Sequence, residues 1–387
     1  MYRPILFLGI IALVVAGCSK DKVKKETLWG TYQEPVTAVE LPPDSGVDEL
    51  SLLWRDDIGS SDEVGFTRIH PAFAGDSLFV ANRNGEVLRK AAETGETLWR
   101  TDLDEEIFSG AGVGDGLVVV THDNGDVSAL KATDGTLVWT SPVKRQFSSI
   151  PVIGKGRVIV RTADGLIIGL RADNGETEWQ VKKEVPGLTM HGDSEPAITG
   201  DAVLIGLSNG KLIANNVING RDYWEAEIGF VRGQNELERL NDSDTRPIVQ
   251  GTTVYTATYQ GSVMALQLQN ASVLWDQNIS TRLPMALADD VLIVTAEYGD
   301  IYALSTADGR ILWQQDIFRG HGASYPVIAG QRVVIGDAEG NIHTLDIDTG
   351  ALVETRETVS GAVTGLISSQ GLIAVLSSEG KLSTLSL

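Results

Sequence analysis

The sequence predicts an all-β protein, an eight-bladed β-propeller made of four-stranded antiparallel blades. Tryptophans recur along the chain at steps of 40, 40, 45, 51 and 38 residues: Trp99, Trp139, Trp179, Trp224, Trp275 and Trp313. Five of them end the phrase Gly-x-x-x-Trp, whereas Ala271 takes the glycine position before Trp275. A fixed period of about 20–50 residues is typical of repeat architectures, among them propellers.

Each repeat reads as four short strands joined by tight turns. Short runs of β-branched and aromatic residues, such as Leu78-Phe79-Val80, alternate with clusters of Gly, Asp and Asn. The glycine of an Asn-Gly pair, such as Asn84-Gly85, accepts the positive φ that a hairpin turn requires. A unit of about 40 residues with four strands is the size of one propeller blade.

The turn glycines give the number of blades. Eight copies are found, at Gly85, Gly125, Gly165, Gly210, Gly261, Gly299, Gly340 and Gly380. The seventh copy has Glu354 in place of tryptophan, which predicts one polar packing position on an outer strand. The eighth lacks an outer strand before Leu387, but residues 50–58 resemble residues 98–103. We therefore expect an N-terminal clasp strand to complete the last blade, which would remove an open sheet edge from the ring.

Composition and charge exclude several classes of function. The 387 residues hold 31 Lys and Arg against 52 Asp and Glu, a net charge of -21, which argues against nucleic-acid binding. Cys18 is the single cysteine, so an internal disulfide and a thiolate metal cluster are excluded. The five histidines show no metal-ligand spacing. We expect neither a metal nor a cofactor.

The amino terminus has the features of a lipoprotein signal peptide over residues 1–17. Arg3 precedes an apolar run from Ile5 to Val15, which is too short to span a bilayer about 30 Å thick. The run leads into small residues before Cys18, as in a bacterial lipobox, although a cysteine could also stand there by chance. We expect Cys18 to be lipidated, residues 18–49 to form a flexible tether, and residues 50–387 to form the propeller. By resemblance to known lipoproteins, Ser19 permits export to the outer membrane.

The repeat is interrupted by two longer connections, from Trp179 to Pro196 and from Trp224 to Pro247. Because strand direction alternates within a blade, both connections are expected on one face of the ring, on neighbouring blades. Insertions on one face of a repeat array are often where partners bind. The alternative is that each loop only covers the end of its blade.

The lipobox, the clasp strand and the eight repeats together resemble the BamB family of lipoproteins, which serve the outer-membrane β-barrel assembly machinery. The resemblance implies a non-enzymatic scaffold, held by its lipid on the periplasmic side of the outer membrane. It implies binding to the POTRA domains of BamA and help in folding and inserting outer-membrane β-barrel proteins. Unfolded clients are a further possible partner, through strand addition at outer blade edges.

The same resemblance implies which residues contact BamA. They lie in the two longer connections: Leu188, Met190 and His191 in the first, and Asp242 and Asp244 with Arg239 nearby in the second. The family usually has Leu and Arg at the positions of Met190 and His191. Met is close to Leu in volume, but a mostly neutral His191 cannot form the bidentate pair of an arginine.

Two other functions stay open at this point. A quinoprotein dehydrogenase has the same repeat, with pyrroloquinoline quinone and calcium on the ring axis. Such an enzyme is expected to have an adjacent cysteine pair, and no cysteine follows Cys18. The many aspartates sit mostly in turn positions such as Asp134, Asp308 and Asp348, where turn chemistry explains them. The other alternative is a periplasmic scaffold for a different partner.

Overall fold

The computed structural model describes residues 26–27, 30–31, 38–59, 68–185, 194–229, 243 and 245–387. The chain divides into two units, residues 1–35 and residues 36–387. In the first unit, β1 (Glu26–Thr27) pairs with β2 (Gly30–Thr31) as an antiparallel hairpin. Over the described ranges, no helix is long and apolar enough to cross a membrane.

The second unit consists of eight antiparallel blades, as the repeat predicted. It begins with β3 (Ser51–Asp57) and β4 (Arg68–Ile69). Each of the first four blades runs from a short inner strand to an outer strand. Blade 1 has β5 (Ala72–Ala74), β6 (Ser77–Ala81), β7 (Glu86–Ala91) and β8 (Thr97–Asp102); blade 2 has β9 (Ile107–Gly114), β10 (Leu117–His122), β11 (Val127–Lys131) and β12 (Leu137–Ser141); blade 3 has β13 (Val152–Gly154), β14 (Arg157–Arg161), β15 (Leu166–Arg171) and β16 (Thr177–Lys182); blade 4 has β17 (Ala197–Thr199), β18 (Ala202–Leu207), β19 (Lys211–Asn216) and β20 (Asp222–Glu227).

The remaining blades follow the same order. Blade 5 has β21 (Ile248–Gln250), β22 (Thr253–Ala257), β23 (Val263–Gln267) and β24 (Val273–Gln277); blade 6 has β25 (Ala286–Ala288), β26 (Val291–Thr295), β27 (Ile301–Ser305) and β28 (Ile311–Gln315); blade 7 has β29 (Val327–Ala329), β30 (Arg332–Gly336), β31 (Asn341–Asp346) and β32 (Leu352–Glu357); blade 8 has β33 (Val363–Ser369), β34 (Leu372–Ser377) and β35 (Lys381–Ser386). β4 adds a short parallel strand beside β9 of blade 2.

The clasp strand completes blade 8, which confirms the prediction. β3 pairs antiparallel with β35, with Asp56 opposite Leu382 and Leu52 opposite Leu385. Leu50, just before the clasp, is 1% exposed and packs in the apolar cluster of blades 7 and 8 with Leu385. Burial of aliphatic side chains between successive blades is the main source of stability of such a ring.

The glycines and tryptophans of the Gly-x-x-x-Trp repeat form contacts between neighbouring blades, in which the tryptophan of one blade packs against the glycine of the next. Trp313 on β28 donates its indole N–H to the carbonyl of Ile347 in blade 7, at 2.7 Å. The glycine of that blade, Gly350, has φ +71°, and a Cβ there would lie 2.5 Å from Cε3 of Trp313. The same contact closes the ring, because Trp54 of the clasp donates to Ala92 of blade 1 at 2.8 Å. The predicted packing role of the tryptophans on outer strands is thus confirmed.

Residues 38–50, which we call the leading segment, lie along the outside of blade 7. Val39 donates its N–H to the carbonyl of Arg319 at 3.1 Å, and Ser45 donates its own to the carbonyl of Val353 at 3.0 Å. Glu49 forms a two-pronged ion pair with Arg332, at 2.6 and 2.7 Å. The boundary at residue 50 between tether and propeller stays a prediction, and the structure adds that residues 38–49 contact the propeller.

One face of the propeller unit carries the turns between the second and third strand of each blade, at Gly85 and its equivalents. We call it the loop face. The connections from each outer strand to the next blade begin beside these turns, since Leu103 donates its N–H to the carbonyl of Gly85 at 3.0 Å. This geometry positions the two longer connections.

Candidate partner-binding face

The side chains expected to contact a partner belong to the parts of the chain that are not described, as does the lipidation candidate: Leu188, Met190, His191, Arg239, Asp242, Asp244 and Cys18. Their roles stay predictions. The structure does describe the bases of both connections. We call the connection between β16 and β17 the first loop, and the connection between β20 and β21 the second loop.

Both loops start on the loop face, from neighbouring blades. Lys183, after β16, donates its N–H to the carbonyl of Gly165 at 2.9 Å. Ile228, after β20, donates its N–H to the carbonyl of Gly210, also at 2.9 Å. Because Gly165 and Gly210 belong to the turns that define the loop face, both loops begin on that face. These two loops account for the longer steps, of 45 and 51 residues, in the tryptophan repeat.

The ends of the two loops are tied together by buried hydrogen bonds. Ser194, where the first loop returns, donates its hydroxyl to the carbonyl of Thr245 in the second loop at 2.8 Å. Both residues are 0% exposed. Arg161 on β14 donates to the carbonyl of Ser194 at 2.8 Å, and the hydroxyl of Thr245 bonds the backbone of Ala257 on β22. The two loops therefore rise from one fixed base that spans blades 3 to 5.

A glycine makes room for this base. A Cβ at Gly206 on β18 would lie 2.3 Å from the hydroxyl oxygen of Ser243 and 2.6 Å from its carbonyl oxygen. Ser243 is 1% exposed and donates its N–H to the carbonyl of Leu207 at 3.3 Å. Sequence reasoning did not find this contact, although a glycine inside an aliphatic strand is the signal of a close backbone approach.

Ion pairs join blades 3 and 4 at the start of the first loop. The Lys183 ammonium lies 3.2 Å from carboxylate oxygens of both Asp222 and Glu225. Lys211 lies 2.8 Å from Glu225, and its hydrogen bond holds the pKa of the Glu225 carboxyl below its usual range. Lys183 is only 14% exposed, so its charge is neutralised locally and the start of the loop is fixed on blade 4.

The ring encloses a central channel of about 700 Å³, to which every blade contributes. Each blade contributes one large apolar side chain to its lining: Phe73, Val113, Ile153, Ile198, Ile248, Leu287, Val327 and Ile367. Near its loop-face end, Glu195 lies 3.8 Å from Arg246. His70 Nδ1 lies 3.1 Å from the hydroxyl of Tyr325, which accepts the N–H of Leu366 at 2.8 Å. Burial raises the pKa of Tyr325, so its hydroxyl stays protonated at neutral pH.

The described lining of this channel does not supply the ligands that the quinoprotein alternative requires. Calcium takes six to eight oxygen ligands, usually with several carboxylates. Among the described residues of the lining, Glu195 supplies the one carboxylate, and it is paired with Arg246. No group of three His, Cys, Asp or Glu side chains able to hold a metal is found in the described part of the chain.

The fold and its repeats define a β-propeller of the PQQ-type repeat class. Residues 45–110, 91–315 and 297–387 match the family described as outer membrane protein assembly factor BamB. The chain is 41% identical to the factor of that name from Pseudomonas aeruginosa, over 91% of this chain and 90% of the relative. It is 42% identical to the one from Alkalilimnicola ehrlichii, over 88% of this chain and 92% of the relative. The chain belongs to the BamB family.

Solved structures agree. The crystal structure of BamB from Moraxella catarrhalis superposes with a TM-score of 0.79 at 25% identity, covering 87% of this chain and 100% of that one. A quinohemoprotein alcohol dehydrogenase from Comamonas testosteroni superposes with a TM-score of 0.69 at 13% identity, covering 87% of this chain and 76% of that one. The second likeness concerns the fold alone.

Proposed function

We propose that this protein is a non-enzymatic scaffold lipoprotein of the β-barrel assembly machinery, which binds the POTRA domains of BamA and assists the folding and insertion of outer-membrane β-barrel proteins. Membership of the BamB family and the name of its relatives support the role in outer-membrane protein assembly. The described lining of the central channel has a single carboxylate, Glu195, which is paired with Arg246, and this supports a role without catalysis.

The observation that carries the binding proposal is the shared base of the two loops. The hydrogen bond from Ser194 to Thr245 fixes the return of one loop against the return of the other. This shared base holds the returning ends of both loops at a fixed separation, so that one partner would contact both loops at once. Leu188 and Met190 would supply apolar contacts, and Asp242 and Asp244 would pair with basic side chains of BamA, with Arg239 and His191 beside them.

A pull-down with BamA tests this proposal. Leu188→Ala combined with Asp242→Ala should abolish co-purification of BamA with the tagged full-length chain. The matched control is Leu98→Ala with Glu96→Ala, which removes the same kinds of side chain from exposed positions on blade 1. Unchanged co-purification in the loop variant would favour a scaffold for another partner.

The proposed location is the outer membrane, on the periplasmic side, through a lipid on Cys18. More than one acyl chain on a residue holds a protein firmly, since each buried CH₂ contributes about 0.8 kcal/mol. Cys18→Ala should move the protein from the membrane fraction to the soluble periplasmic fraction. A variant that stays with the outer membrane in BamA-depleted cells would contradict lipid anchoring.

A further inference from the structure

One outer blade edge of this protein is covered by its own chain. On β32, the carbonyl of Val353 accepts the N–H of Ser45 at 3.0 Å, and the N–H of Thr355 bonds a carboxylate oxygen of Asp44 at 3.3 Å. Val353 and Thr355 thus turn these backbone groups outwards, away from their own sheet. The leading segment bends at Gly46 and satisfies both groups, one with a backbone N–H and the other with a side-chain carboxylate. The blade architecture therefore accommodates a chain segment along this edge.

The equivalent edge of blade 5 turns the same groups outwards. In blade 7, Thr355 pairs with His343, and a bulge follows before Leu352. In blade 5, Asp276 pairs with Met264, and the same bulge follows before Val273. Leu274 and Asp276 therefore take the places of Val353 and Thr355. No other described segment of the chain bonds the carbonyl of Leu274 or the N–H of Asp276.

The blade 5 edge also has the most exposed apolar pair of the outer strands. Val273 is 52% exposed and Leu274 is 50% exposed. Their counterparts Leu352 and Val353 are half-buried on blade 7, where the leading segment lies. Next to the pair, Asp276 is exposed and makes no ion pair within the described part of the chain. The edge thus combines two apolar side chains, an outward backbone and a carboxylate.

Blade 3 shows how an outer edge is protected from such pairing. Glu178 takes the place of Leu274 there, and it forms an ion pair with Arg157 at 2.5 Å. An ion pair at the position of the apolar contact opposes the addition of another strand there. The contrast between the two blades makes blade 3 a natural control for blade 5.

We propose that β24, the outer edge of blade 5, binds an extended segment of an unfolded outer-membrane β-barrel protein by strand addition. The strands of such barrels alternate apolar and polar residues, and their edges are unpaired only before the barrel closes. Apolar residues of the segment would cover Val273 and Leu274, and a basic residue would pair with Asp276. This inference rests on the proposed function for the identity of the bound segment.

Photo-crosslinking of the full-length chain tests the proposal. A benzophenone amino acid is placed at Leu274 or, on the control edge, at the exposed Gln180, which leaves Glu178 intact. Each protein is irradiated with a urea-denatured eight-stranded outer-membrane barrel protein diluted into the sample. We expect a crosslink at position 274 and none at 180. Asp276→Pro removes the outward N–H and should lower the crosslink yield at position 274 by about fivefold or more. Asp276→Ala keeps that N–H and should retain most of the crosslink yield.

Thermal unfolding of each variant checks that the propeller is intact. If Asp276→Pro does not fold, Val273→Lys places a charge at an exposed position of the same edge and should give the same loss. Equal crosslinking at 274 and 180, or an unchanged yield in the folded edge variant, would overturn the proposal. Co-purification of BamA should be unaffected by either edge variant, so failure of the crosslink and failure of the proposed BamA contact are separate results.

Discussion

The carboxylate of Glu354 accepts the backbone N–H of Leu50 at 2.8 Å, and the same oxygen accepts the N–H of Glu49 at 2.8 Å. Its other oxygen accepts from Arg356 at 2.8 Å, and the residue is 2% exposed. Other blades have tryptophan at this position. Where the leading segment turns into the clasp, two backbone donors need a buried acceptor, which a carboxylate supplies and an indole cannot.

Replacing Glu354 should destabilise the ring at its closure. We expect Glu354→Ala to lower the free energy of unfolding by about 3 kcal/mol, because it leaves two backbone N–H groups without their charged acceptor. Glu354→Trp should also lower the free energy of unfolding, although it restores the tryptophan that the other blades have at this position. Urea denaturation followed by tryptophan fluorescence measures both.

Glu357→Ala is the control for this prediction. It removes a carboxylate from the same strand at an exposed position and should change the free energy of unfolding by less than about 0.5 kcal/mol. A Glu354→Trp variant as stable as the natural protein would show that the acceptor role is unimportant.

The repeat could be predicted from sequence because its contacts lie a fixed distance apart along the chain. The Gly-x-x-x-Trp sequence that ends at Trp313 recurs in the regular copies, so its spacing indicated the blades. The likeness of residues 50–58 to residues 98–103 indicated the clasp. The role of Glu354 could not be predicted, since its partners Glu49 and Leu50 are 304 to 305 residues away. The shared base of the loops was missed for another reason: Ser194 and Thr245 lie in the two irregular connections, to which the repeat does not extend.

The leading segment should be released when its ion pair with Arg332 is weakened. The fork of Arg332 binds both oxygens of Glu49, and this hydrogen bonding lowers the pKa of the Glu49 carboxyl. Arg332→Lys keeps the charge but loses the planar fork, so we expect faster amide exchange at Ser45 and a cost of up to about 1 kcal/mol at this partly buried site. Arg310→Lys, at a mostly exposed pair with Asp308, should leave exchange at Ser45 unchanged.

Acid should release the same segment. The pKa of Glu49 is depressed in the folded protein, so its contribution is present above the unfolded pKa near 4.5 and is lost as the pH falls below it. Exchange at Ser45, corrected for the intrinsic rate, should therefore rise relative to the core as the pH decreases below about 4.5. In Arg332→Lys this pH dependence should be weaker, and equal dependence in both proteins would refute the link.

Replacing Ala271 by glycine, the residue that the regular copies of the repeat have at this position, should stabilise the protein. It has φ +56°, a conformation that costs a residue with a Cβ about 1–2 kcal/mol. Ala271→Gly should raise the free energy of unfolding by about 1 kcal/mol, since the relief of strain exceeds the added entropy of the unfolded chain. A lower midpoint of urea unfolding would contradict this.

The reverse change at an equivalent position gives the matched comparison. Gly309 has φ +73°, and a Cβ there would lie 2.5 Å from Cε3 of Trp275. Gly309→Ala combines backbone strain with a clash against a buried indole, so we expect a loss of about 3 kcal/mol. Equal effects of the two substitutions would show that the interblade contact is not specific for glycine.

A buried carboxylate in blade 7 should make the stability of the ring depend on pH. Asp337, which is 1% exposed, is bonded by the Asn341 side chain at 2.8 Å, by His343 Nε2 at 3.1 Å, and by the backbone N–H groups of Glu339 and Asn341 at 2.9 and 2.8 Å. Burial by itself would raise the pKa of Asp337, but these hydrogen bonds outweigh it and lower the pKa to about 2. The ionised form is therefore the one that the fold stabilises.

Because the folded pKa of Asp337 is depressed, its contribution is complete above the unfolded pKa near 3.8 and is lost as the pH falls towards about 2. The shift corresponds to about 2 kcal/mol. Asp337→Asn should thus lower the free energy of unfolding at pH 7 by at least that amount, and the difference from the natural protein should shrink between about pH 4 and pH 2. Urea denaturation across this range measures the difference. Asp76→Asn, at a 93% exposed carboxylate, should run parallel to the natural protein throughout, and a constant offset for Asp337→Asn would mean that this carboxyl is not the group that titrates.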